Sequence, residues 1–217
     1  MPLSLANQPL GPLYRIGRGP DPLAWPPFAF SGTGRYDDPD NRFTVLYAAE
    51  QRRDAFVETL APFRPAVNDI AIATSLTGAD PTDQMPVAGI IPDTYFDRRI
   101  AYFRVAPRQR WLDLRTPETH QVLRSELAAT LVRLGYGQRF VWGDVLGHDH
   151  RLTQAIAAYA FDRGYHGTVY TSCHDATLDC WALFNRAVIE RIDAPSPIDK
   201  HDPDLVAVAR LFDLTIP

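Results

Sequence analysis

Short apolar runs separated by turn-forming glycine, proline, aspartate and asparagine mark the first half of the chain. Residues 13–16 read as a strand set between glycines and prolines. Residues 17–33, rich in both, read as a long ordered loop of the kind that forms binding loops and lids in compact domains. Residues 44–49 are β-branched and aromatic and follow Asp/Pro/Asn turn chemistry, which predicts a second strand. Helical spacing takes over at residues 51–60, with Ala55, Phe56 and Leu60 on one face and Pro62 as the stop. Residues 70–73 fit either a strand or a short helix, and residues 77–92 read as loop. Alternation returns at residues 98–105, where Ala101, Phe103 and Val105 share a face.

The second half carries longer helical patterns. Residues 111–114 form a short strand. Thr116 caps a helix with Pro117 at its first position, and Val122, Leu123, Leu127, Leu131 and Leu134 continue it until Gly135. Residues 150–163 form another helix, capped by Asp149, with Leu152, Ile156, Tyr159 and Ala160 as its apolar face and Gly164 as its end. Two buried strands at 168–171 and 180–184, a third around 188–192, and a helix at 204–212 complete the pattern. No repeat or linker interrupts it. The fold class is α+β, one domain over 1–217 with a core of about 12–190 and a C-terminal extension of 191–217.

Composition adds exclusions. The net charge is −4, and Lys200 is the single lysine among 22 basic residues. An acidic chain without a basic stripe argues against direct nucleic-acid binding. Its arginine forks suit phosphates and carboxylates, although a GC-rich genome gives the same bias. No apolar run is long enough to span a bilayer, and the N-terminus lacks the pattern of a secretory leader. Two cysteines make no disulfide framework. The expectation is a soluble cytoplasmic protein.

Three clusters carry chemistry. Gly34-Arg35 precedes a strand bearing Tyr47 and a helix bearing Glu58. An arginine beside glycine can grip an anion bidentately, a tyrosine can stack on a heterocycle, and a carboxylate can stabilise charge developing on a sugar. The plainer account is a salt-bridged arginine, a core tyrosine and a solvated glutamate, and spacing alone favours it. The run Ser172-Cys173-His174-Asp175 invites a hydrolase reading at Ser172 or Cys173, but triad members normally meet from separate elements. His148, His150, Cys173, His174 and Cys180 lack the spacing of a zinc site. The Asp37–Asn41 run lacks the glycine and the glutamate of a calcium loop, so no metal is expected. Gly17-Arg18-Gly19 lacks the third glycine and the helix of a dinucleotide fingerprint.

Taken in order, Tyr14-Arg15-Ile16, Gly34-Arg35-Tyr36, Val45-Leu46-Tyr47, Glu58, Leu112-Asp113-Leu114, Gly164-Tyr165-His166-Gly167 and Tyr170-Thr171-Ser172 resemble the RES domain family, in register over about residues 12–190. The resemblance implies a fold like that of diphtheria-toxin-type ADP-ribosyltransferases, with central split β-sheets flanked by helices. It implies an enzyme that uses NAD as substrate, acting as glycohydrolase, phosphorylase or ADP-ribosyltransferase. It also implies the toxin role in a toxin–antitoxin pair, with an Xre-like helix-turn-helix antitoxin as partner. By motif, Glu58 and Arg35 would be catalytic, and Arg15, Tyr47, Ser172 and Tyr36 would bind substrate. The family's usual Arg-Trp-Asn is Arg35-Tyr36-Asp37 here, which puts a negative charge near expected phosphates. Ile16 stands where some members carry an aromatic. The alternative within the same fold is a nucleotide- or antitoxin-binding module without turnover.

Overall fold

The computed structural model describes residues 4–71 and 88–217. Its centre is a mixed sheet of eight strands among the described residues. In chain order these are β1 (Leu13–Gly17), β2 (Val45–Ala49), β4 (Arg99–Val105), β5 (Trp111–Asp113), β6 (Gly167–Thr171), β7 (Asp179–Phe184), β8 (Ile189–Arg191) and β9 (Ser196–Pro197). The order across the sheet is β5-β6-β7-β2-β1-β4-β8, with β9 also on β4. A two-stranded parallel sheet joins β3 (Gly89–Ile90) to β10 (Leu214–Thr215).

One joint in the main sheet differs from the others. β2 pairs with β7 over five positions, and β1 pairs with β4 over five. Between β1 and β2 the register holds at Tyr14↔Ala49 alone. The sheet is therefore two ladders touching at one rung. A carbonyl left without a rung must find another donor, and Tyr47 O finds one in Arg15 Nη1 at 2.8 Å.

Side chains alternate across each strand, so the two faces collect different partners. One face of β2, β6 and β7 (Val45, Tyr170, Cys180, Ala182, Phe184) packs under four helices. These are α2 (Pro117–Glu126), α3 (Ala128–Arg133), α4 (Trp142–Leu146) and α5 (His150–Asp162). A second cluster joins Ile16, Ala49 and Ile100 to α1 (Arg52–Leu60) and α6 (Pro203–Leu211). The opposite face holds Leu46, Ala48, Phe103, Trp111, Val169 and Trp181, covered by Ala6, Leu23 and Trp25. The residues beyond 190 thus supply Leu205, Val208, Ala209 and Phe212 to the cluster that seats α1. Arg52 also ties α1 to Asp202 and Asp204.

Every strand and helix that hydrophobic spacing predicts outside the 64–94 stretch is present, with differences in detail. The Thr116 cap accepts from Thr119 N, but the helix it starts is broken at Leu127, where φ is −101° and ψ is 13°. The bonds Leu127 N to Leu123 O and Leu131 N to Leu127 O persist across the break, so it is a bend that turns Leu127 onto the core. Asp149 caps α5 as expected, and Gly164 ends it at φ 77°. α4 has no counterpart in the sequence reading. Ile70 and Ala71 are helical, which takes the helix side of that expectation for these two residues. The rest of the 70–73 expectation, and residues 77–87 of the expected loop, lie outside the described residues; Gly89–Ile90 is strand.

Candidate active site

The cavities of interest gather where the two ladders part. A recess of about 60 Å³ lies between β1 and β2 under α1, lined by Tyr14, Arg15, Tyr47, Ala49, Glu58 and Tyr170. Beside it is a cleft of about 660 Å³ that adds Arg18, Pro22, Trp25, Phe30 and Arg98. A third cavity, about 690 Å³, runs past Pro62, Phe63, Thr94 and Tyr95. Glu58 and Thr59 line all three. The sequence folds this way because helix α1 is buried along Ala55, Phe56, Val57 and Leu60, which fixes Glu58 at the edge of the buried arc.

Glu58 is held from the far end of the chain. Ser172, 2% exposed, donates its hydroxyl to Glu58 Oε1. The same Ser172 oxygen accepts from His174 N at 3.0 Å. The serine oxygen therefore accepts from His174 N while its own O–H points to Glu58, and the imidazole of His174 takes no part in the bond. The Cys180 thiol, behind Glu58, is pushed well up by burial and by that carboxylate. Asp54, one turn before Glu58, is 2% exposed, and its Oδ1 has no hydrogen-bond partner among the described residues. Burial lifts its carboxyl to about 6; Arg53 opposes the rise, while Asp175, Glu50 and Glu58 add to it.

Arg15 is wedged across the seam. Its Nε donates to Pro22 O at 2.7 Å and its Nη1 to Tyr47 O. Burial brings its pKa down to about 10, with Tyr47 opposing and Arg98 adding. Tyr47 lines both the recess and the larger cleft. Its hydroxyl donates to Asp37 Oδ1 at 2.9 Å and accepts from Tyr36 N at 2.9 Å. Burial, then the Asp37 charge, raises it far above the ordinary phenol value.

Asp37 does not behave as the motif comparison anticipates. It is buried, and its Oδ2 accepts from Gly32 N at 3.0 Å and Gly34 N at 2.8 Å. The carboxylate is spent on the loop and on Tyr47. Gly34 is required by the same packing, since a Cβ there would meet Tyr47 Oη at 2.6 Å and Asp37 Oδ1 at 2.7 Å.

Arg35 and Tyr36 sit further back. Arg35 Nη1 donates to Val145 O at 3.1 Å and Gly147 O at 2.7 Å, at the C-terminal end of α4, where a cation is favoured. Thr153 anchors its backbone carbonyl. Arg35 is not among the residues lining the three cavities, although its charge helps lower the Cys173 thiol beside Ser172. Tyr36 is fully buried with its ring 4.5 Å from that of Tyr170, and its hydroxyl lacks a partner among the described residues.

The structure therefore brings Arg15, Tyr47, Glu58 and Ser172 together and sets Arg35 and Tyr36 behind them. Sequence reasoning did not find Arg18, Thr59 or Arg98. The signal for Arg18 was visible in Gly17-Arg18-Gly19; Arg98 carries no local mark. Among the described residues no three His, Cys, Asp or Glu side chains stand together as metal ligands. No helix among them is long and apolar enough to cross a membrane.

Glu58, held by Ser172, thus stands where the arginine-lined clefts meet at the parting of the sheet. The chain belongs to the RES domain family, whose model matches residues 12–205. Among solved structures, it is similar to the M. tuberculosis MbcT–MbcA toxin–antitoxin complex at 14% identity and a TM-score of 0.49, over 93% of this chain and 88% of that one. No curated protein matches in sequence.

Proposed function

We propose that the chain consumes NAD by breaking the nicotinamide–ribose bond, as the toxin of a toxin–antitoxin pair. The observation that carries this reading is Glu58, a carboxylate on the wall of all three cavities with one oxygen fixed by Ser172. When the glycosidic C–N bond breaks, its electron pair leaves with nicotinamide and positive charge develops on the ribose. A fixed carboxylate beside that carbon stabilises the charge without reorganising. The cation is closed by a nucleophile, water in the simplest case, which loses a proton as it adds.

In this reading Tyr47 walls the nicotinamide recess, and Arg15 on the same wall holds the Tyr47 carbonyl. Ser172 orients Glu58. Arg35 and Tyr36 act as positioning residues. Arg35 ties the 32–37 loop to α4, and Tyr36 holds the Tyr47 hydroxyl through its backbone N–H. The partner is a helix-turn-helix antitoxin of the Xre-like type, and the site of action is the cytoplasm.

The test is nicotinamide release from NAD by the purified chain. Wild type should exceed Glu58→Gln by about a hundredfold, the scale expected when one transition-state charge partner is lost. Equal rates in the two proteins sink the catalytic reading. On expression, growth arrest relieved by Glu58→Ala supports the toxin role.

A further inference from the structure

The register of β1 and β4 has a consequence beyond the recess. Leu13↔Phe103 through Gly17↔Arg99 are paired in sequence, so the next pair outward is Arg18 and Arg98. Two guanidinium side chains thus leave facing positions at the end of one ladder. Like charges directly opposite each other destabilise a strand pair. Among the described residues neither arginine has a carboxylate salt-bridge partner.

The backbone that carries each arginine is constrained. A Cβ on Gly17 would meet Pro22 Cβ at 2.8 Å, and Gly19 has φ +75°, so the Gly17–Gly19 corner is tight and carries Arg18 at its tip. Arg98 closes the 3-10 turn Asp93–Asp97, donating its N–H to Tyr95 O at 3.1 Å, with its guanidinium 5.1 Å from the Tyr95 ring centre. Both line the 660 Å³ cleft and the 690 Å³ cavity, as do Glu58 and Thr59. Burial and the neighbouring Arg18 charge lower the pKa of Arg98, opposed only by Tyr95. Of the acids on these walls, Glu58 has one oxygen held by Ser172, Asp21 is already paired with Arg191, and Asp97 is exposed on the far cavity.

We infer that Arg18 and Arg98 form a diphosphate site at the waist between the two cavities. A single phosphate needs one fork; two forks on facing strand positions match two linked phosphoryl groups, each taken bidentately. A ligand centred there has room on both sides, with Trp25 and Phe30 along one arm and Phe63 and Tyr95 along the other. That is the shape of a dinucleotide, two nucleosides joined through a diphosphate. The inference deepens the NAD reading and rests on it for the second nucleoside. It also moves the diphosphate away from Arg35, whose Nη1 is committed to α4.

The experiment is calorimetric titration with ADP and with adenosine. Wild type should bind ADP more tightly than adenosine. Arg18→Ala and Arg98→Gln should each weaken ADP by about tenfold, the worth of one charge-assisted contact, and leave adenosine unchanged. Arg18 is exposed on its loop, so Arg18→Ala tests the site even if the Arg98 variant does not fold. Failure of the wild type to bind ADP, or ADP affinity in Arg18→Ala within twofold of wild type, overturns the inference. If the variants lose ADP while the wild type releases no nicotinamide, the diphosphate site stands and the NAD reading falls. If nicotinamide is released with an unchanged KM in both variants, the NAD reading stands and the diphosphate site falls.

Discussion

Replacing Asp37 distinguishes two physical accounts of the same carboxylate. If its charge faced bound phosphates, Asp37→Asn would remove a repulsion and tighten NAD binding. The structure instead turns both oxygens inward, onto Gly32 N, Gly34 N and the Tyr47 hydroxyl. Asp37→Ala strands these three donors at a position 7% exposed. A buried donor left unpaired costs about 1–3 kcal/mol, and water entering the space left by the side chain keeps each near the lower end, so about 3 kcal/mol in total. With a urea slope of about 2–3 kcal/mol per molar, the unfolding midpoint should fall by about 1 M. Asp37→Asn keeps one oxygen for the two glycine amides but turns an amide N–H2 toward Tyr47, whose proton then has no acceptor. That change should cost about 1 kcal/mol and leave NAD affinity no better. Urea denaturation followed by fluorescence, with NAD titration of the folded variants, reads both. A midpoint for Asp37→Ala within about 0.2 M of wild type would refute the inward-clamp account, since it corresponds to about 0.5 kcal/mol. Tenfold tighter NAD binding by Asp37→Asn would refute it from the other side.

Further outcomes follow from the same geometry. Ser172→Ala removes the donor to Glu58 and should cut nicotinamide release about tenfold, with Ser172→Thr recovering part of it; no change in rate would deny Ser172 its orienting role. Asp54→Asn should stabilise the fold in a pH-dependent way. The wild-type carboxyl is raised by burial from 3.8 to about 6, so the folded state holds its proton longer than the unfolded chain. The two proteins should match below about pH 4, diverge as pH rises through 4–6, and stay apart above, by at most about 3 kcal/mol. Thermal midpoints measured across that range that run parallel would contradict it. Iodoacetamide at neutral pH should modify the exposed Cys173, whose thiol is lowered by His174, far faster than the buried Cys180. Comparable labelling of both in the folded protein, read by mass spectrometry, would show that the Cys180 wall is not closed.

Strands and helices were legible wherever burial imposes a period. β2 announces itself through Val45, Leu46 and Tyr47, and α6 through Leu205, Val208 and Ala209, because each packs against a continuous wall. α4 was not, since five residues hold too few turns to show a period. The bend at Leu127 was equally hidden: no glycine or proline marks it, and its cause is tertiary packing on the core. Glu58 and Ser172 lie 114 positions apart, so their contact was accessible only through resemblance to a family and not through spacing. Arg98 faces Arg18 because of a ladder register set by chain returning after 80 residues, which no local window contains. Asp37 shows the opposite limit. Its position in a motif was readable, but the direction of its carboxylate depends on Gly34 lacking a side chain and on Tyr47 lying above it.

The single rung between β1 and β2 bears on how this molecule responds to occupancy. The middle of a wide sheet is ordinarily its last part to open, because both neighbours protect every strand. Here the midline is a seam between two ladders, one built on β4 and β1 and the other on β2 and β7, joined within the sheet by Tyr14↔Ala49 and by the arm of Arg15. A ligand lodged in the recess would touch Tyr14 and Arg15 on one half and Tyr47 and Ala49 on the other, and so act as the missing stitches. Saturation should then slow amide exchange on both banks of the seam at once, a footprint on two strands distant in sequence from a single small molecule.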